Sequence, residues 1–408
     1  MNILYVCHRF PFPPKRGGKI RPFNMIRHFA ASGHRVTVCS LARSNDEAEE
    51  GRGIAPYCAD FEVARVSEPL QYARMVAQLP LTTPSSMGYF YSGRLRNRIR
   101  DRLARQSYDL IFVHCSSVAQ YVEHVRDIPK ILDFGDMDSQ KWLEYANYKP
   151  SPLSWGYHFE GAKMRMAEAR LARRFDLCTT TTRAEWQTLE GYGTGAATDW
   201  FPNGVDSEFF SPADEPFDAD TLSFVGRMDY YPNQECMRRF CDDVWPMLQA
   251  RRPALKLVIV GADPSASIRK LGERPGVTVT GSVVDVRPLV RRSVAMVAPL
   301  AIARGTQNKI LEAMAMGVPV ITSRIAAGGV DAEPGEHLLT ADTAGEQVEA
   351  ILRLVGSPAE RRRLSLAGRQ RVLGHHGWPQ SMRRLDGIVE RCVDGFKRSA
   401  SGMKPLTA

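Results

Sequence analysis

The sequence predicts an α/β fold built as two Rossmann-like domains. Three observations lead there. At 408 residues the chain exceeds what one hydrophobic core usually serves. Short apolar runs alternate with helix-length amphipathic stretches through both halves, and several of the runs stop at a glycine. A turn, Pro202-Asn203-Gly204-Val205-Asp206, stands about halfway along and reads as a linker. Hydrophobic residues at 44% and charged ones at 24% fit a globular chain, not a disordered one.

In the first half, residues 2–7 form a short apolar strand. The loop 8–19, HRFPFPPKRGGK, leads to a helical pattern over 21–32, a stop at Gly33 and a strand over 35–41. This order opens a Rossmann-like unit, although the Gly-x-Gly-x-x-Gly fingerprint of dehydrogenases is absent. Residues 43–60 read as a surface loop and 61–66 as a strand. In 92–106, SGRLRNRIRDRLARQ, six arginines face one aspartate, and Leu95, Ile99 and Leu103 share a narrow helical face. Such a helix either lies on an anionic membrane surface or packs its stripe on the core. Residues 108–114, YDLIFVH, form a buried strand ending in His114. Carboxyl ends of strands in open α/β sheets face the ligand crevice, so His114 is either structural or part of a site. Asp133, Asp136 and Asp138 lie at or just past the end of the next strand, 130–134. Asp138 or Ser139 would alternatively cap the helix that follows. Residues 155–174 are a long basic helix.

In the second half, strands are expected at 222–225, 256–260, 277–280 and 294–298. Gly226-Arg227 follows the first of these. The most informative stretch is 298–322, APLAIARGTQNKILEAMAMGVPVIT. A glycine turn, Arg304-Gly305-Thr306, precedes a helix with Ile310, Leu311, Ala313 and Met314 on its apolar face, and Gly317-Val318-Pro319 ends it. Thr306 is the expected N-cap. Free amides and the positive dipole end make such a helix start an anion site. Lys309 and Glu312 are three apart and expected on the exposed face. Lys309 suits a phosphate and Glu312 a pair of ribose hydroxyls, which together describe a nucleotide.

This stretch resembles the sugar-nucleotide signature of family 4 glycosyltransferases, which have the GT-B fold: two Rossmann-like domains facing across a cleft. Glu312 matches the second glutamate of that signature, while Arg304 stands where the first belongs. The wording Arg-Gly-x-x-Asn-Lys-x-Leu-Glu is similar to a subgroup of sugar transferases associated with the PEP-CTERM/exosortase system, as is the Asp-rich run ending Asp-Ser-x-Lys-Trp. The resemblance implies a first domain over 1–200 that holds the acceptor and a second over 201–374 that holds the nucleotide-sugar. It further implies a helix over 375–396 returning to the first domain, and a tail over 397–408. Gly17 and Gly18 resemble the glycine pair near the donor diphosphate. Gly226 and Arg227 resemble the phosphate-binding segment, with Lys309 as second cation. Val283 falls where the nucleobase is seated, and Arg304, Gly305 and Thr306 complete the donor set. His114 would sit beside the sugar. Asp133, Asp136 and Asp138 would orient sugar hydroxyls, act on the acceptor or bind a metal, with Asp133 and Asp136 the catalytic candidates, and one aspartate of 133–138 would replace the carboxylate lost at Arg304. The resemblance implies a retaining, hexosyltransferase-type enzyme with no cofactor or metal. Its acceptor would be a glycan or lipid-linked, in exopolysaccharide or envelope assembly.

The formal charge of +9 suits nucleic acid, anionic lipid or an anionic small substrate, and no nucleic-acid module is recognisable. Eight cysteines without a Cys-x-x-Cys pair or Cys/His cluster suit buried thiols in a reducing compartment and argue against structural zinc. The start reads as a strand and not a leader, and no apolar run approaches the ~20 residues of a membrane span. A cytoplasmic protein is expected, peripheral on the membrane where 92–106 touches it. The competing functions are a sugar-nucleotide epimerase of the same fold, a non-catalytic nucleotide-sugar-binding subunit and a nucleic-acid or membrane-surface binder.

Overall fold

The computed structural model describes residues 1–14, 17–214 and 217–401. The chain forms two compact units. One is Met1–Phe201 joined by the chain from Met382 on, and the other is Pro202–Ser381. Each is a doubly wound α/β unit around its own parallel sheet.

In the first unit the strands are β1 (Asn2–Cys7), β2 (Arg35–Ala42), β3 (Asp60–Arg65), β4 (Leu110–His114), β5 (Lys130–Gly135), β6 (Leu177–Thr180) and β7 (Thr198–Trp200). They lie in the order β3-β2-β1-β4-β5-β6-β7, all parallel. The second unit contains β8 (Asp218–Val225), β9 (Lys256–Val260), β10 (Val277–Gly281), β11 (Ser293–Ala298), β12 (Val320–Thr322) and β13 (Leu339–Thr340), ordered β10-β9-β8-β11-β12-β13. The winding direction reverses between β1 and β4 in one sheet and between β8 and β11 in the other. At such switch points the loops splay apart and leave a crevice at the strand carboxyl ends. Strands β4 and β11 are buried along their whole length, which explains their unbroken apolar runs.

Several expectations are corrected. Residues 43–60 are not a loop: Asn45–Gly51 is a helix capped by Ser44, and Arg52–Tyr57 is a 3₁₀ turn. Glycines at 51 and 53 let this piece lie flat on Phe10 and Phe12, where an added Cβ would sit 2.2–2.3 Å from the rings. The final helix is Trp378–Ala400, so 397–400 are helical, while 402–408 lie outside the described residues. The helix Gly93–Arg105 is capped by Ser92, buries Leu95 and Ile99 and packs Leu103 against the core, so its apolar stripe is consumed internally. Arg98 and Arg102 pair with Asp60 and Glu62 on β3. All eight cysteines are unpaired. Among the described residues no helix is long and apolar enough to cross a membrane.

Candidate functional site

Each switch point carries a cluster of polar side chains. In the first unit, His114 closes β4 and stands in register with Asp133 on β5. Parallel pairing puts both side chains on the same side, and His114 Nδ1 lies 2.7 Å from Asp133 Oδ2. Arg21, from the helix Gly17–Ala31, donates through Nε to Asp133 Oδ2 and through Nη2 to Oδ1, both at 2.9 Å. Thr179 Oγ1 on β6 donates to Oδ1 at 2.9 Å. Arg21 also donates to the Phe201 carbonyl at 3.0 Å and stacks 3.7 Å over the Phe201 ring. Burial alone would raise the Asp133 pKa, but the Arg21 guanidinium, with the bond to His114, holds it well below the usual carboxylate range.

This corrects the role expected of Asp133. The residue is 0% exposed and both oxygens already bond twice, so it cannot meet a substrate or replace a missing catalytic carboxylate. It is a positioning residue that fixes the His114 ring. Asp136 is placed differently. It follows Gly135, whose φ of +70° turns the chain out of β5. Its side chain reaches solvent, and Thr181 Oγ1 donates to it at 2.9 Å. Protein packed around the carboxylate raises its pKa, and the Asp138 charge adds to this against the Thr181 bond. The helix Asp138–Tyr148 has Met137 at its N-cap with no side-chain bond, so neither Asp138 nor Ser139 caps it. Asp138 instead pairs with Lys141 at 2.5 Å, and Ser139 donates to the buried Glu168.

Two residues of this cluster escape sequence reasoning. Arg21 is one; an arginine four and eight positions before the buried Met25 and Phe29 on one helical face was the available signal. His8 is the other. It follows β1, lies edge-on to Phe90 with centroids 5.2 Å apart, and stands 5.7 Å from the His114 ring. Burial, then the nearby His114, lowers its pKa well below the ordinary histidine value, and its Nδ1 has no hydrogen-bond partner among the described residues. The strand-end rule that nominates His114 would have nominated His8 too. Gly17 and Gly18 begin the helix after β1, so their amides are among those left free at its start.

In the second unit, Gly226-Arg227 follows β8. A Cβ at Gly226 would lie 2.7 Å from Asn233 Nδ2 and 3.2 Å from Lys309 Nζ, and one at Gly261 would strike the Gly226 carbonyl at 1.7 Å. A side chain at Gly261 would therefore strike backbone, while one at Gly226 would displace the Asn233 side chain. Asn233 links the pieces: its Nδ2 donates to the Arg227 carbonyl at 2.8 Å and its Oδ1 accepts from Lys309 Nζ at 2.5 Å. The Lys309 ammonium also sits 4.6 Å from the Phe224 ring centroid. Arg227 is engaged by Asp229 at 2.6 Å and Asp263 at 2.7 Å, so its guanidinium would exchange or share these carboxylates to meet a phosphate.

The helix after β11 is Asn308–Ala315, with Gln307 at its N-cap and no side-chain cap. Thr306 is thus not the cap; it belongs to the loop, partly exposed, after Gly305 with its φ of +59°. Lys309 and Glu312 are not on a solvated face either. Both keep some surface but are walled in by protein. Burial lowers Lys309 to about 8 and raises Glu312 to about 7. Glu312 accepts no hydrogen bond from any described residue, and Lys309 is its charged neighbour. Arg304 lies in the same loop, its carbonyl held by Gln307 Nε2 at 3.0 Å. Val283 follows β10, two places from β8, and is partly exposed.

Two doubly wound sheets, the second with a cation pair, a waiting carboxylate and glycine turns at its switch point, define a nucleotide-binding α/β protein built in tandem. Residues 16–209 match the family described as Glycosyltransferase Family 4, and residues 219–357 match Glycosyl transferases group 1. The chain carries one domain of each, and is a glycosyltransferase of the GT-B type. Sucrose-phosphate synthase from Thermosynechococcus elongatus is similar, with 18% identity, a TM-score of 0.70, and cover of 97% of this chain and 100% of that one. HepE from Anabaena, solved with UDP, gives 15%, 0.68, 96% and 100% in the same order. TarM from S. aureus, a mutant solved with fondaparinux, α-GlcNAc-glycerol and UDP, gives 10%, 0.62, 95% and 99%. At these identities the likeness is one of fold. No curated protein sequence matches the chain.

Proposed function

We propose that the protein is a retaining glycosyltransferase that takes a hexose from a uridine diphosphate sugar, without metal or other cofactor. The observation that carries this is the Lys309–Glu312 pair, where a carboxylate with no hydrogen bond from any described residue stands one helical turn from an ammonium. Glu312 anchors the ribose hydroxyls. Lys309, with Arg227, stabilises the negative charge of the departing diphosphate. Gly226, Gly305 and Thr306 bring backbone close to the phosphates, Arg304 binds the diphosphate or an acidic sugar, and Val283 lies against the base. The uridine assignment is supported by HepE and TarM, both solved with UDP. The first unit takes the acceptor: His114 and Asp136 bind sugar hydroxyls, and the amides of Gly17 and Gly18 are donors for a phosphate.

The retaining outcome and a glycan or lipid-linked acceptor rest on the family 4 resemblance. So does a place in exopolysaccharide or envelope-glycan assembly of the PEP-CTERM/exosortase kind. A cytoplasmic enzyme is proposed, with the exposed Arg94, Arg96, Arg100 and Arg105 giving electrostatic contact with an anionic membrane.

Thermal unfolding with UDP, GDP, ADP and dTDP, alone and as sugar conjugates, tests the donor. A ligand at about 100 times its dissociation constant adds ~2.7 kcal/mol. Stabilisation by the uridine series alone is expected, unchanged by a chelator; no response to any nucleotide overturns the reading. Turnover of the donor sugar without an acceptor would instead indicate an epimerase. Arg304→Glu should lower turnover, and a gain on a neutral sugar would remove the role given to Arg304.

A further inference from the structure

We propose that the first unit docks on an anionic lipid surface through an apolar patch formed by the 78–83 turn and the outer face of the helix Leu153–Ala172. Trp155, Phe159 and Met166 recur on that face at helical spacing, and Trp155 is 70% exposed. Leu79 and Leu81 are exposed on the turn.

The turn and the helix form one surface. Lys163 is buried and pairs with Glu160 at 3.0 Å. Its ammonium donates to the carbonyls of Gln78 at 3.0 Å and Thr83 at 3.2 Å, the two ends of the turn. Glu160 in turn accepts from the Ser85 amide at 2.6 Å. The same ammonium lies 5.1 Å from the Phe159 ring centroid, so Phe159 adjoins the turn that carries Leu79 and Leu81. A buried ion pair spent on holding a turn that displays leucines to solvent makes a fixed platform.

Charge selects the occupant. Between residues 145 and 175 the carboxylates are Glu160 and Glu168, and both are buried. The exposed basic groups there are His158, Arg165, Arg170, Arg173 and Arg174, of which Arg170 is paired with Glu123. On the helix itself Trp155, Phe159 and Met166 share the surface with the exposed Arg165 and Arg170 and with no exposed acid, a composition that matches the headgroup layer of an anionic bilayer. This contact is separate from the Gly93–Arg105 helix, which offers charge but no apolar face, and does not depend on the donor assignment.

The test is co-sedimentation of the full chain with phosphatidylcholine vesicles and with mixed phosphatidylcholine–phosphatidylglycerol vesicles. Binding to the anionic vesicles is expected. It should fall at least about tenfold in the variant Trp155→Ala/Phe159→Ala and again in Leu79→Ser/Leu81→Ser. Because these side chains are exposed, thermal midpoints should not change. Arg165→Glu should weaken binding most at low salt. Wild-type protein that stays in the supernatant, or apolar variants that bind as wild type does, overturns the proposal. So does a wild-type dimer in sedimentation velocity that the apolar variants dissociate, since the patch would then cover a second copy.

Discussion

Asp133 shows how a side chain's neighbours decide its role. Four bonds from Arg21, His114 and Thr179 use its acceptor capacity, and removing its charge breaks a buried ion pair with the Arg21 guanidinium. Asp133→Asn is therefore expected to cost about 3–5 kcal/mol in chemical denaturation. Its depressed pKa fixes the sign of the pH effect: the stabilisation is complete above the unfolded value of 3.8 and is lost as pH falls below it. Lys309 and Glu312 titrate closer to neutrality. A diphosphate favours the charged lysine, so UDP binding at pH 8 should take up a proton. Calorimetry in buffers of different ionisation enthalpy reads that uptake, and Lys309→Met should abolish it. Glu312→Gln should weaken UDP binding about tenfold to a hundredfold, the range of a lost hydrogen bond to a charged group. In the wild type, affinity should decline below about pH 7 as Glu312 gains its proton.

At the scale of elements, the polar cluster of the second unit depends on close approach of backbones. Gly226→Ala would push on Asn233 and through it on Lys309, so UDP affinity should fall while the unit stays folded. Gly261→Ala would drive a methyl into the Gly226 carbonyl and should lower the unit's thermal midpoint instead. Comparing the two by calorimetry separates site geometry from stability. The strands and the central helix were legible because apolar periodicity is a local property. The Asn45–Gly51 helix was not, because its polar sequence carries no stripe; Ser44 and the aromatic floor of Phe10 and Phe12 hold it. The Thr306 cap failed for a related reason. Thr306 carries a capping side chain, but the loop brings Gln307 to the N-cap position.

At the scale of the molecule, the last helix ties the end of the chain to its beginning. From Met382 on it belongs to the first unit, where Leu385, Ile388, Val389 and Cys392 are buried. Asp386 pairs with His28, and Arg384 and Arg391 with Asp199. Truncation after Ser381 would expose this apolar face. It should lower the thermal transition of the first unit while UDP still stabilises the second. A single transition lowered equally for both would contradict this division.

Local pattern was enough to indicate two α/β units, most of their strands, the glycine turns and the candidates Lys309, Glu312 and His114, since periodicity and turn chemistry act over a few residues; the edge strands β7 and β13, three and two residues long, are too short to carry a pattern. Partnership was decided by tertiary structure. Arg21 and Asp133 are 112 positions apart, and Lys309 and Asn233 are 76 apart. Only sheet order brings them together, and only the resulting desolvation moves their titration. The same holds for exposure. Leu79, Leu81, Trp155 and Phe159 are apolar, yet the packed structure leaves them facing outward, and the buried Glu160–Lys163 pair holds the turn that carries the two leucines.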